Sequence, residues 1–119
     1  MKLRKNYTCP LELVHDIIKG KWKTIIIFQL RNGKCSFSEL LHSIEGITQK
    51  MLLEQLHELK HFGLIDKESY DGYPLKVNYF LTTQGEKMLS AVKIMQEIGI
   101  DYMSEHGMTE FLEKKGISH

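Results

Sequence analysis

Proline and cysteine are scarce in this chain, with two of each among 119 residues. Few prolines leave long stretches free to form helix. The cysteines, Cys9 and Cys35, lack CxxC spacing and are too few for a disulfide scaffold, so reduced thiols are expected. Neither sign of charge dominates: 16 Lys and Arg stand against 15 Asp and Glu, a formal +1, which argues for no polyanionic partner by itself. No stretch approaches the roughly 18 apolar residues of a membrane span, and the basic start leads into no apolar signal core. A cytoplasmic chain without membrane association is expected. There is no glycine-rich phosphate loop, no nucleophile elbow and no carboxylate pair with arguable roles, so neither a cofactor nor an enzymatic activity is expected.

The hydrophobic fraction of 42% and charged fraction of 26% are those of one globular domain. Charge is unevenly placed. Residues 1–23 carry a local +4, residues 77–119 a local −2, and residues 48–76 a local −1. A basic face, if present, therefore involves the N-terminal third.

Along the chain, a basic arm (1–8) precedes a domain over 9–106 and a tail over 107–119, which adds a loose last turn. "CPLELVHDIIKG" reads as a helix opened by Pro10 and stopped by Gly20, and "KTIIIFQLRNGK" as a second, nearly all-buried helix. Ser36 with Glu39 forms a capping box for a third, "FSELLHSI". Gly46 then allows a tight turn, Ile47 plugs inward, and Thr48 caps a fourth helix to about Phe62, ended by Gly63. That pair is a helix-turn-helix. "LIDKESY" and "KVNYFLT" alternate as strands around an Asp71-Gly72 turn with Pro74, and read as a hairpin. Thr83 with Glu86 opens a long helix to about Glu105. Met88, Val92, Met95, Gly99 and Tyr102 form one stripe along it, widened by Leu89, Ile94 and Ile98. The fold class is mainly α with a small β-hairpin: a winged helix-turn-helix with a long C-terminal dimerisation helix.

In such an architecture the fourth helix can enter a DNA major groove while the hairpin follows the backbone. Leu52, Leu56 and Leu59 form its inward stripe. Opposite lie Gln49, Lys50, Leu53, Glu54, His57 and Lys60, with Thr48 at their head as a further candidate contact: Gln49 suits adenine, Lys50 guanine or phosphate, Glu54 cytosine and Leu53 a thymine methyl. Alone, that face also fits a solvated helix. Ser36, Lys21, Lys23, Lys76 and the basic arm are candidates for backbone contacts, although Lys21 can instead lie along Trp22 as a prop. Trp22, Phe37 and Tyr79 read as core. A winged helix that binds protein rather than DNA remains the alternative.

"HELKH", His57 to His61, matches H-E-x-x-H, the zinc-hydrolase signature. Yet "FGLID" follows where a third ligand would be patterned, which leaves the zinc hydrolase a remote alternative with no metal ligands assigned.

The matches "CP" at Cys9, "GKW" at Gly20, "FSEL" at Phe37, "GITQKML" at Gly46, "L..LKHFGLI" at Leu56, Tyr70, "P.KV.Y.LT..G" at Pro74 and Gly99 span about ninety residues. In them the chain resembles the HxlR family of bacterial winged helix-turn-helix transcriptional regulators. Ser36 departs from the family's arginine and Ile98 from its tryptophan. The resemblance implies a homodimer on double-stranded DNA at an inverted repeat, joined by the N-terminal and C-terminal helices. Leu13, Ile17, Val92, Met95, Ile98 and Tyr102 are its expected interface. It also implies a small-molecule or oxidant effector for some members. Cys9, at a helix start beside Arg4 and Lys5, is either a redox sensor or a small buried hydrophobe. Cys35 reads as buried.

Overall fold

The computed structural model describes residues 3–70 and 76–119. Helix α1 (Pro10–Ile18) begins where Pro10 needs no amide partner, and Gly20, at φ +100°, turns the chain away from it. Helix α2 (Lys23–Gln29) holds a β-branched run whose intrinsic preference is extended. Ile26 and Ile27 are wholly buried there, so tertiary burial overrides propensity.

Strand β1 (Cys35–Ser36) is only two residues long, too short for any alternating signature, and was not expected. Its second residue caps helix α3 (Phe37–Ser43). The Ser36 hydroxyl accepts from the Glu39 amide at 3.1 Å, and the Ser36 amide donates to Glu39 Oε1 at 3.0 Å, completing the capping box. Gly46 takes φ +87° in the turn, and Ile47 is buried. The Thr48 hydroxyl then accepts from the Met51 amide at 3.1 Å and starts helix α4 (Gln49–His61).

Strands β2 (Ile65–Tyr70) and β3 (Lys76–Leu81) pair antiparallel, from Ile65 opposite Leu81 to Tyr70 opposite Lys76. β3 also pairs with β1, so the expected hairpin is two strands of a three-stranded sheet in the order β1-β3-β2. The Asp71-Gly72 turn with Pro74 lies outside the described residues.

Helix α5 (Thr83–Glu105) is capped by Thr82, one residue before the expected Thr83. The Thr82 hydroxyl accepts from the Gly85 amide at 3.2 Å and donates to the Gly63 carbonyl at 2.5 Å. Because the helix starts one residue early, Gly85 rather than Glu86 occupies the third position and the expected capping box does not form. The tail, expected to be loose, forms helix α6 (Thr109–Lys114), where Leu112 is buried and Lys115 ion-pairs with Glu45 in the helix-turn-helix turn.

The core joins Ile26 and Ile27 of α2, and Leu30 just after it, to Leu40, Leu52, Leu56, Leu59, Ile65, Leu89 and Val92. Each such side chain contributes about 1.5–3 kcal/mol on burial. Helix order, turn and sheet together make a winged helix-turn-helix carrying a long C-terminal helix.

Candidate nucleic-acid interface

α4 is held by one face. Leu52, Leu56 and Leu59 sink into the core, which turns Thr48, Gln49, Lys50, Leu53, Glu54 and His57 outward, all exposed. Leu53 is 58% exposed, an apolar side chain on the wet side where burial does not explain it. Lys60 and His61, in the last turn, complement the negative helix end.

Cations near α4 and the sheet include both paired and free ones. Lys34 is bound to Glu68 at 2.6 Å, and Lys60 lies 4.0 Å from Asp66. Among the described residues Lys21, Lys50, Lys67 and Lys76 make no ion pair. Lys76 is exposed at the start of β3, and Lys67, on β2, is an exposed cation that the sequence reading did not select. Lys21 lies 4.5 Å from the Trp22 ring centroid, as the prop reading described, with its side chain still at the surface. Ser36 is part of β1 and commits its hydroxyl lone pair to the α3 cap.

Two expected backbone contacts are corrected. Lys23 is 3% exposed and bonded to Glu58 at 2.5 Å, so it cannot reach a phosphate. Arg4 of the arm is held by Glu12 at 2.9 Å and Asp16 at 2.8 Å, with Tyr7 also bonded to Asp16, so Arg4 is engaged within the domain while Lys5 stays exposed and makes no ion pair among the described residues. The Arg4 guanidinium draws both carboxyls below their ordinary values, helped by the Thr8 hydroxyl, the main cause at Glu12. For the zinc motif the consequence is direct: its glutamate, Glu58, faces Lys23 inside while His57 faces out. No cluster of three or more His, Cys, Asp or Glu able to hold a metal occurs among the described residues.

Along α5 the apolar stripe splits in two. Leu89 and Val92 pack into the domain's own core, so Val92 is not free for a partner. Ile94, Met95, Ile98 and Tyr102 remain about half or more exposed, as does Leu11 on α1. Leu13 is half-buried, and Ile17 packs against the core with part of its surface open.

A family model described as HxlR-like helix-turn-helix matches residues 17–107. The chain belongs to this family. Among its relatives, an HTH-type transcriptional regulator of Methanothermobacter thermautotrophicus is 39% identical over 98 residues, 82% of this chain and 75% of that protein. The HTH-type transcriptional regulator YodB of Bacillus subtilis is 32% identical over 111 residues, 92% of this chain and 98% of its own length. The solved structure of the redox regulator HypR in its reduced form superposes with a TM-score of 0.75 at 39% identity, covering 78% of this chain and 92% of that one. The chain is thus a member of a family of helix-turn-helix transcriptional regulators.

The two thiols of this HxlR-like chain differ. Cys9 is exposed at the N-cap of α1, which overturns its reading as a buried hydrophobe. Cys35 is half-buried rather than buried, its thiol 3.8 Å from the Gln29 and Gly33 carbonyls, and burial pushes its pKa up. No helix of the described residues is long and apolar enough to cross a membrane.

Proposed function

We propose that the chain is a sequence-specific DNA-binding transcriptional regulator that acts as a homodimer on an inverted-repeat promoter site and is controlled by oxidation or electrophilic attack at Cys9. The observation that carries this reading is the outward run Thr48, Gln49, Lys50, Leu53, Glu54 and His57 on α4, inside a helix-turn-helix followed by a wing. Side chains at the start of that helix reach base edges in a major groove, with Gln49 and Lys50 best suited to purines. Lys21 and Lys76 supply backbone contacts, and Ser36 a hydroxyl donor at the head of α3. Leu11, Ile98 and Tyr102 give the second copy an apolar face, with Met95 at its margin. The exposure of Cys9 supports the thiol control, as does the resemblance to a regulator named for its redox response.

A mobility-shift titration against the chain's own upstream DNA tests the reading. Wild type should shift that duplex in preference to a scrambled one. Lys50→Ala and Lys76→Ala should each weaken binding and lower the salt slope by about one. Equal affinity for both duplexes, or unchanged slopes, would sink it.

A further inference from the structure

Helices α2, α5 and α6 enclose an open groove of about 670 Å³, within the size of small-molecule sites. Its walls are mainly apolar, with Trp22, Ile25, Phe28, Val92, Ile100 and Leu112 among the lining residues. The rim carries three cations, Lys21, Arg31 and Lys115, against one carboxylate, Glu45. Lys115 is paired with Glu45, so the surplus positive charge resides on Lys21 and Arg31. Both sit on the aromatic walls: Lys21 Nζ is 4.5 Å from the Trp22 centroid, and the Arg31 guanidinium 4.1 Å from that of Phe28. An apolar tail lying in such a groove loses its hydration, while a carboxylate can meet one of these two exposed cations.

We propose that this groove is a binding site for an apolar monocarboxylate, which acts as an effector. Its position supports an effector rather than a passive ligand. Ser43, Ile44 and Glu45, where α3 gives way to the turn before α4, line the groove, and so do Met95, Gly99 and Met103 of α5. An occupant therefore touches the helix-turn-helix and the exposed-stripe helix together. A second copy is not the occupant argued here. Ile94, Ile98 and Tyr102, the face left for it, lie outside the groove, and only Met95 belongs to both.

Trp22 is the single tryptophan of the chain and lines the groove, so its emission reports occupancy directly. The full chain is titrated with decanoate, decanol and decyltrimethylammonium below their micelle concentrations. Decanoate should shift the emission saturably. Lys21→Met with Arg31→Met should weaken decanoate by about tenfold while leaving decanol unchanged. Gly99→Leu should remove the response: Gly99 lines the groove and a Cβ there meets nothing within 4 Å, so the leucine side chain takes up space that the tail would occupy. Absence of a saturable shift, equal binding of the ammonium compound, or an undiminished response in Gly99→Leu would overturn the proposal. So would a Trp22 shift that follows protein concentration instead of decanoate, since a second copy would then cover the groove. The binding readout contains no DNA, so its failure is separate from failure of the DNA-binding reading. Only the effector role rests on that reading: decanoate should change the affinity for the upstream duplex in wild type and not in Gly99→Leu, and an unchanged affinity on a duplex that wild type does bind would overturn it.

Discussion

The ammonium of Lys23 lies 2.5 Å from Glu58 Oε2 and is almost wholly withdrawn from water. This bond ties α2 to α4 from inside, fixing the rotation of α4 that turns Gln49, Lys50 and His57 outward. Removing one partner leaves a buried charge uncompensated, whereas replacing both with apolar groups does not. Glu58→Ala should cost about 2–3 kcal/mol, toward the lower end because Glu58 is partly solvated. Lys23→Met with Glu58→Leu should come within about 1 kcal/mol of wild type. Urea denaturation checks both; a double variant as unstable as the single one would remove the argument.

Acid should destabilise the fold. The Lys23 ammonium holds the Glu58 carboxyl below its ordinary 4.5, and Glu39, Glu45 and Glu68 are lowered by their hydrogen-bond partners Ser36, Lys115 and Lys34. A carboxyl depressed in the folded state contributes stability that is complete above its unfolded value and lost as pH falls through its folded one. The urea midpoint should therefore hold steady from neutrality to about pH 5 and fall below about pH 4.5. Glu58→Gln should lose less on acidification than wild type, and a midpoint that rises in acid would contradict the assignment.

Gly85 is required by close approach, not by dihedral freedom. A Cβ there would stand 1.9 Å from the Leu64 carbonyl oxygen, backbone that cannot step aside cheaply. Gly85→Ala should cost about 2 kcal/mol or more despite alanine's better helix propensity. Thermal melting distinguishes this from the slight gain expected at an open helical site.

The thiols should react unequally. Exposed Cys9 should be modified by a disulfide reagent faster than Cys35, whose thiolate is disfavoured by burial. Absorbance kinetics on Cys9→Ser and Cys35→Ser separate the two. With diamide, a change in DNA affinity that persists in Cys9→Ser would exclude Cys9 as the switch.

What was legible in the sequence was what is local. The Ser36–Glu39 box, the Thr48 cap and the Leu52, Leu56, Leu59 stripe each depend on residues within a turn or two, and the structure holds them as read. β1 was not legible, because two residues have no period and the strand exists only where β3 lies beside it. Nor was α6, whose stability depends on Leu112 reaching the body of the domain. Thr82 and Thr83 offer the same hydroxyl, and only the Gly63 carbonyl selects between them. Counting charges treated Lys23 like its neighbours; only the fold brings Glu58 of α4 beside it and withdraws it from water. Val92 and Met95 share an apolar stripe, but only the position of α2 shows that one faces inward and the other out.

Selection of binding sites from random duplexes by the full chain tests the central claim most directly. The account predicts an enriched inverted repeat whose half-site centres lie about 10–10.5 base pairs, or a multiple, apart, with the base preference relaxed at one position in each half by Gln49→Ala. No enriched sequence, or an enriched site without two-fold symmetry that Gln49→Ala leaves unchanged, would contradict it.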